Sequence, residues 1–342
     1  MIAALIRTFC RWRCQAVFRV VGGHLCALTA FGMSTVALSA KRAHAQSNGA
    51  LFLLVPFGGR AVGLAGAVVA DTGLGTEGMW WNAASMARLR KRELAIHHSQ
   101  TAFANSNMIA VALPSRVLGT IAGSAYIVDY GALPVTLSSG EGSLGTIANY
   151  NYQFALSYAS PIGRRFNAGL TGKFVLLRFN QCSGICTDIP LVTGNTFALD
   201  AGAQYTVAAR IPFTIGAAVR NLGPALQAKD RDQADPLPRV AQVGVKARIP
   251  IAALADAGAS LELSGDVQYA AAFGGTTAAL GASVGYRDVF FLRGGFKRQS
   301  QGGGPSFGFG LERGAFGLDF ARLVESSALG DSPTYLSLRV RF

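Results

Sequence analysis

Charged side chains that alternate with apolar residues are the strongest candidates for chemistry in this sequence. In residues 261–269, for example, Glu262 and Asp266 alternate with Leu263 and Val267. Paired carboxylates could exchange protons in general acid–base catalysis. We favour ion pairing, because a buried charge needs a partner and both signs are present. The candidate set is Lys173, Asp200, Arg220, Lys246, Glu262, Asp266, Arg293 and Asp319.

The histidines argue against a catalytic or metal site. His97 and His98 are the only two beyond residue 45, and they are adjacent. On a strand their side chains would therefore point to opposite faces. The spacing gives no serine–histidine–aspartate arrangement, and a metal site would need more ligands nearby. The sequence thus predicts no enzyme, no cofactor and no metal.

Residues 1–45 have the organisation of an export signal. A basic start precedes an apolar stretch from Val20 to Ala40, and Ala43 and Ala45 form the A-x-A pattern of a cleavage site. We expect the exported protein to begin near Gln46. A membrane anchor is the alternative, which the cleavage pattern and the interrupted apolar run disfavour.

Loss of this signal lowers the positive charge of the chain. The segment holds six of the 31 Lys/Arg and none of the 18 Asp/Glu, so the formal charge falls from +13 to +7. Since no cluster of basic residues with interleaved aromatics remains, we expect no nucleic-acid partner.

Two cysteines, Cys182 and Cys186, remain in the exported part. Four residues apart in an exported chain, they predict a disulfide that pins a loop.

The composition is typical of a membrane protein that crosses with strands. Charged residues make up 14% and hydrophobic residues 50% of the chain, against roughly 25% charged in a soluble domain. No exported segment offers the roughly 20 apolar residues of a spanning helix. Strands in hydrocarbon must close so that every backbone group is paired. The sequence therefore predicts an all-β membrane protein, a 14-stranded antiparallel transmembrane β-barrel.

Fourteen segments carry the strand pattern, an even number as bacterial single-chain barrels require. Alternate connections are short, which we expect on the periplasmic side, whereas the others, notably 129–146, 180–194 and 222–236, are long and are expected outside. The predicted strands are 93–103, 106–114, 117–128, 147–160, 165–179, 195–208, 211–221, 237–249, 259–270, 276–286, 288–298, 305–313, 315–324 and 333–342.

The final predicted strand has a clear two-faced pattern. Leu338 and Val340 fall on one face, whereas Arg339 and Arg341 fall on the other. Its last residue, Phe342, resembles the C-terminal signature of bacterial outer-membrane barrels. That resemblance implies recognition of Phe342 by the barrel-assembly machinery.

Residues 46–91 precede the first strand and lack strand alternation. We expect this segment to fill the lumen as a plug, with a periplasmic linker as the alternative. The chain would then consist of a signal peptide (1–45), a plug (46–91) and a barrel (92–342). Candidate gate residues, for which simple packing against the wall is an equal alternative, are Phe57, Arg60, Trp80, Trp81 and Asn82.

The plug segment also resembles the N-terminal motif of the PorV/PorQ family, relatives of the FadL fatty-acid channels. The stretches GGRAVGLAGAVVADTG and MWWNAASMA correspond to the glycine-rich start and the W-N-P-A end of that motif. Ala83 stands where the family usually has proline. The resemblance continues in 219–224 and 308–342. It implies a 14-stranded FadL-like barrel with a luminal plug.

This resemblance implies a location in the bacterial outer membrane and passage of hydrophobic, fatty-acid-like molecules. The molecule would leave after a plug shift or through a lateral gap at a kinked strand. PorV-type relatives imply an alternative, a docking component of a type IX-like secretion system. An open porin is disfavoured by the plug. Expected partners are outer-membrane lipid, the barrel-assembly machinery, a hydrophobic ligand and, in the alternative, secretion-system proteins.

Overall fold

A computed structural model describes most of the chain beyond the predicted signal. The described residues are 49–136, 142–186, 191–227, 234–271, 275–299, 302–324 and 332–342. Residues 1–45 lie outside them, so the signal peptide stays a prediction. Among the described residues no helix is long and apolar enough to span a membrane.

Fourteen antiparallel strands close into one barrel. Each strand pairs with its neighbours in sequence, and the first pairs with the last from Glu93 opposite Arg341 to Gln100 opposite Thr334. The predicted strand number and closure are confirmed. The strands are β1 Glu93–Gln100, β2 Asn105–Ser115, β3 Gly119–Thr136, β4 Ser143–Ile162, β5 Phe166–Phe179, β6 Val192–Val207, β7 Phe213–Leu222, β8 Val240–Ile249, β9 Ala259–Ala270, β10 Gly275–Tyr286, β11 Phe290–Gln299, β12 Gly302–Arg313, β13 Phe316–Leu323 and β14 Thr334–Arg341.

Short helices make up the rest of the regular structure. Ahead of the barrel lie α1 Gly59–Gly63 and α2 Gly78–Trp81, with single 3₁₀ turns at Leu51–Leu54, Gly75–Glu77 and Ala83–Met86. A further helix, α3 Ala252–Asp256, lies in the connection between β8 and β9. Within 49–91 no strand forms, as predicted.

The strands place apolar side chains outside and polar side chains inside. In β6, Phe197 and Leu199 are exposed, whereas Asp200 and Gln204 are buried. In β14, Leu338 is 50% exposed and Arg339 only 1%. An apolar exterior around a polar interior is the arrangement of barrels that cross a lipid bilayer.

The two ends of the barrel differ in their connections. One end, here the short-turn end, has the connections 116–118, 163–165, 208–212, 250–258, 287–289 and 314–315. The other, the long-loop end, includes the connections 180–191 and 223–239. The predicted asymmetry is therefore present, with α3 occupying the one extended connection at the short-turn end.

The prediction of a loop over 129–146 was mostly wrong, because two strands extend into this range. β3 continues to Thr136 and β4 begins at Ser143, with the register shifting between Asp129 and Ala132. Gly131, at φ 73°, takes up the irregularity, and its amide donates to Asp129 Oδ1 at 2.8 Å. The Gly- and Ser-rich composition suggested a loop here. The two strands instead continue to pair beyond the bulge, so their backbone groups remain hydrogen-bonded.

The predicted disulfide joins Cys182 and Cys186, whose Cα atoms are 5.6 Å apart. It closes a small loop in which the two-residue strand Ser183–Gly184 pairs with Thr146 and Gly145 of β4. The disulfide closes the loop, and the strand pairing holds the loop against the extended β4.

A belt of glycines makes room inside the barrel for the segment 49–91. A Cβ on Gly169 would lie 2.5 Å from the backbone of Ala83 and Ala84, and one on Gly216 would overlap the carbonyl of Val69. Glycine within a strand is expected where another backbone comes close. The belt consists of Gly169, Gly202, Gly216, Gly281, Gly295 and Gly308.

We expect Gly216→Ala to destabilise the folded protein by about 1–3 kcal/mol, as overpacking does in a filled core. The added methyl would push against the backbone of Val69, which cannot rotate away as a side chain could. Tryptophan emission during urea unfolding measures the change. Gly172→Ala is the matched control, since a Cβ there meets nothing within 4 Å. Equal stability of both variants would contradict the belt.

Candidate functional site

The segment 49–91 lies inside the barrel as a plug. Most of its side chains are buried, and its largest apolar cluster includes wall residues of β2–β6. Asn82 organises its last turn, because its Oδ1 accepts the amide of Ala84 at 3.1 Å. The Asn82 Nδ2 donates to the carbonyls of Val69 in the plug (2.7 Å) and of Ala203 and Ala217 in the wall (3.3 and 3.4 Å).

An aromatic cluster joins the plug to the wall. Phe57 and Trp80 of the plug lie 5.6 and 5.2 Å, centroid to centroid, from Tyr126 of β3. Phe57 also lies 4.8 Å from the ring of His97 in β1. Trp81 is held inside the plug, where its Nε1 donates to the carbonyl of Phe57 at 2.9 Å. These rings therefore pack the plug, as the packing alternative for the gate residues expects.

Asp71 is the centre of an ion-pair cluster between plug and wall. Its carboxylate contacts Arg60 of the plug at 2.9 Å and Lys246 of β8 at 2.9 Å. Lys246 also pairs with Glu262 of β9 at 2.8 Å. Burial opposes the charge on Asp71, but the two adjacent cations outweigh it and hold the pKa of that carboxyl well below its usual range.

A second ion-pair network follows the seam where β14 meets β1. Arg339 bonds Asp319 and Glu312, while Arg341 bonds Glu312 at 2.9 Å and Glu93 at 2.8 Å. The Glu93 carboxylate also accepts the amide of Thr76 at 2.7 Å. This network therefore holds the closing strands together and ties them to the plug.

The side chain of Glu77 reaches from the plug to the start of α1 and forms no salt bridge within the described part of the chain. Its carboxylate accepts the amide of Ala61 at 3.0 Å and the Ser337 hydroxyl at 3.5 Å. Burial, together with the nearby charge of Asp319, raises the pKa of Glu77 to about 7. This carboxyl therefore binds a proton far more readily than an exposed one.

Two of the candidate charges, Arg220 and Asp266, have no ion-pair partner in the described ranges, contrary to the predicted pairing. Among the described residues, Arg220 donates to the Trp80 carbonyl (3.2 Å) and to Gln242 and Gln268 (3.3 and 3.0 Å), but forms no salt bridge. Asp266 accepts instead from the Val69 amide and from Gln242, both at 2.8 Å. The register places glutamines, not opposite charges, next to them. These contacts leave the Arg220 Nε and one Asp266 oxygen, Oδ1, buried without a hydrogen-bond partner among the described residues.

The structure places all eight charged candidates on the inner side of the wall. Lys173 pairs with Asp200 at 2.6 Å, and Arg293 pairs with Asp319. Asp200 also accepts the amide of Asn221, a residue at φ 61° where β7 bulges against β6. The contacts among Lys173, Asp200 and Asn221 therefore stabilise the bulge. They do not form a reactive pair of carboxylates.

A cavity of about 350 Å³ lies between the plug and the long-loop ends of β9–β11. The plug contributes an apolar side, made of Leu54, Pro56, Val62, Trp80 and Trp81. The wall contributes a mostly polar side that includes the two unpaired charges. The polar wall residues are Arg220, Gln242, Asp266, Gln268, Thr277, Lys297 and Gln299, and the wall also contributes Ala270, Gly275, Ala279 and Leu323.

A groove of about 600 Å³ runs along the outer face of β6–β9. Small residues line it, among them Ala201, Ala203, Ala217 and Val219. Gln242 contributes to both the groove and the cavity. The barrel wall is therefore thin between the cavity and the outside at this place.

Several wall residues that hold the plug were not among the candidates. Thr120 donates to the carbonyl of Met86 at 2.8 Å, and Ser306 to that of Gly63 at 3.2 Å. Ser337 accepts the amide of Gly59 at 2.8 Å and lies 2.7 Å from His97 Nδ1. Their position on the inward face of a predicted strand was the only sequence signal. Phe342, the predicted assembly signal, is 63% exposed, and its backbone pairs with Arg92.

We expect Asp71→Asn to loosen the plug by about 3–5 kcal/mol, the cost of breaking a buried ion pair by removing one partner. Arg60 and Lys246 would then face each other without their shared carboxylate. Ion conductance in planar bilayers should rise as the plug opens. Asp288→Asn, an exposed carboxylate at the short-turn end, is the control and should leave conductance unchanged. A variant that conducts no more than this control would contradict the role of Asp71.

Plug stability should fall as the pH rises through about 7, because of Glu77. Its folded pKa lies above the ordinary value of 4.5, so its contribution is fully present below pH 4.5 and is lost as the pH rises through the folded pKa. Hydrogen exchange of plug amides should therefore speed up between pH 5 and 8 beyond the intrinsic pH effect. Glu77→Gln, which mimics the protonated acid, should flatten this dependence; an unchanged slope would reject the assignment.

Comparisons with known proteins identify the fold. No protein-family model matches the chain, and no curated protein matches it. Solved structures do. The toluene transporter TbuX of Ralstonia pickettii superposes with a TM-score of 0.56 at 15% identity, covering 85% of this chain and 100% of that one.

Two further solved structures are similar to this chain over most of its length. The toluene transporter TodX of P. putida gives a TM-score of 0.59 at 9% identity, with 82% of this chain and 97% of that chain covered. A FadL homologue of Pseudomonas aeruginosa gives 0.51 at 13%, covering 84% and 98%. At these identities the likeness concerns the fold alone. The chain therefore has the fold of a FadL-like barrel, which confirms the coarser part of the predicted resemblance.

Proposed function

We propose that this protein passes hydrophobic small molecules across the bacterial outer membrane. The observation that carries the proposal is the cavity between plug and long-loop end, whose apolar side is formed by the plug itself. Its volume of about 350 Å³ falls in the range of small-molecule sites. Because Trp80 and Trp81 line it, a bound molecule would rest on the element that blocks its way.

The lining favours a molecule with an apolar body and at most a small polar group. Leu54, Pro56 and Val62 offer only apolar surface, while Arg220 and Gln268 offer hydrogen bonds at the opposite side. A single aromatic ring or a short acyl chain fits this division. The toluene transporters that share the fold carry a substrate of this class.

The thin wall at Gln242 supports a lateral exit. The β7 bulge at Asn221 interrupts the regular pairing of β6 with β7 next to Arg220, which lines the cavity. On the outer side the small residues of the groove leave open space at the same strands. A molecule leaving here would enter the membrane directly and would avoid the plug-filled half of the barrel.

Within FadL-like barrels, the more specific resemblance to PorV/PorQ proteins stays a prediction that rests on the plug motif. So does the docking role in a secretion system. Of the connections assigned to it, 180–194 and 222–236 extend into residues 187–190 and 228–233, which lie outside the described residues.

Quenching by brominated ligands tests the proposed binding site. The chain has three tryptophans, Trp12 in the predicted signal and Trp80 and Trp81 at the cavity. A brominated fatty acid or bromobenzene bound there should quench tryptophan emission by the heavy-atom effect, whereas the unbrominated parent should not. Emission that responds equally to both would reject binding at this cavity.

A charge on the apolar side of the cavity should weaken ligand binding and therefore the quenching. We expect Leu54→Asp to weaken binding at least about tenfold, equivalent to about 1.4 kcal/mol, because the carboxylate would lie against the apolar ligand. Leu51→Asp, in the same turn but 44% exposed and not lining the cavity, is the matched control. Uptake of labelled ligand by cells should likewise fall with Leu54→Asp and be kept with Leu51→Asp. If cells with the unaltered protein take up no more ligand than cells lacking it, transport is rejected.

A further inference from the structure

The short-turn end carries a ring of exposed arginines. Every connection at that end except the one with α3 has at least one arginine in it or directly beside it. We call Arg116, Arg164, Arg165, Arg210, Arg287 and Arg313 the basic ring. Residues 88–92, which lead into β1, add further exposed basic side chains.

The basic ring is not neutralised by the protein. Within the described ranges none of its six arginines forms a salt bridge, unlike Arg293, Arg339 and Arg341 on the inner side of the wall. The same connections contain only two acidic residues, Asp256 in α3 and Asp288. Much of the positive charge that remains after loss of the predicted signal is therefore displayed at this end.

Each arginine of the ring emerges where the apolar exterior ends. Arg116 precedes Val117, which is 91% exposed, and Arg313 lies three residues before Phe316, which is 69% exposed. The guanidinium of Arg287 lies 5.2 Å from the centroid of the Tyr286 ring. Neighbouring apolar and guanidinium groups of this kind match the boundary between acyl chains and headgroups of a bilayer.

We propose that the basic ring binds the phosphate headgroups of anionic phospholipids in the leaflet that meets the short-turn end. Guanidinium groups bind phosphate through two parallel hydrogen bonds, which suits arginine better than lysine. The distribution favours lipid over an acidic protein, because the arginines follow the circumference. A protein partner would engage one sector, whereas lipid surrounds the barrel. The connection 250–258, with Asp256 and no basic residue, leaves the one gap.

Lipid retained by the folded protein tests the proposal. The protein is inserted into vesicles with equal amounts of phosphatidylglycerol and phosphatidylcholine, extracted gently, and its bound lipids are counted by native mass spectrometry. We expect phosphatidylglycerol to be enriched, by up to about fivefold for each engaged arginine at low salt. The enrichment should fall as salt rises, because salt screens exposed charges.

Charge-matched variants locate the site. A variant with Arg116→Gln, Arg164→Gln, Arg210→Gln and Arg313→Gln should lose most of the enrichment. The control removes the same charge from exposed positions at the long-loop half, through Arg178→Gln, Arg239→Gln, Arg298→Gln and Arg322→Gln, and should keep it. Arginine-to-lysine changes at the four ring positions should keep part of it, and they report on the ring even where the glutamine variant fails to fold.

Two results would overturn the proposal. One is equal enrichment in the ring variant and the long-loop control. The other is no enrichment in the unaltered protein at low salt. In that second case, salt-sensitive binding of polyglutamate lost in the ring variant would assign the ring to an acidic protein instead.

Discussion

One constraint governs this structure: the plug is irregular, and its backbone groups need hydrogen-bond partners inside a closed barrel. The plug has little regular structure, so many of its amides and carbonyls lack partners within it. The wall supplies them: Gln204 donates to the carbonyls of Val69 and Asp71, and Ser337 accepts the amide of Gly59. The glycine belt allows the approach. An apolar lumen could not hold this plug, since unpaired buried backbone groups are costly.

The same constraint divides the inward charges into two kinds. Asp71, Lys246 and the seam network around Arg339 are neutralised by opposite charges, and they fasten the plug and the closing strands. Arg220 and Asp266 bond to amide groups only in part and border the cavity. The first kind belongs to the structural frame. The second provides hydrogen-bonding capacity at the place where a ligand would bind, which is why ion pairing alone does not describe the lumen.

Much of the fold follows from the two-residue period of a strand. The period gives the fourteen strands and the inward position of residues such as Asp200 and Asp319, because side chains alternate across a sheet. The period does not give the position of these residues along the barrel axis or their neighbours on the adjacent strands, because both depend on strand register. Pairing of Lys173 with Asp200 was therefore compatible with the sequence, while the glutamine environment of Arg220 was not foreseeable. The extended β3 and β4 were missed for a similar reason, since a bulge at Gly131 depends on long-range pairing.

The position of Asn82 connects the plug to the proposed exit. Its side chain donates to the carbonyls of Ala203 and Ala217, which lie opposite each other on β6 and β7. Those two alanines also line the outer groove. A shift of the plug that withdrew Asn82 would remove hydrogen bonds from the two strands beside the bulge, which border both the groove and the cavity. Movement of the plug and loosening of the wall would then be one event, driven by whatever occupies the cavity against Trp80 and Trp81.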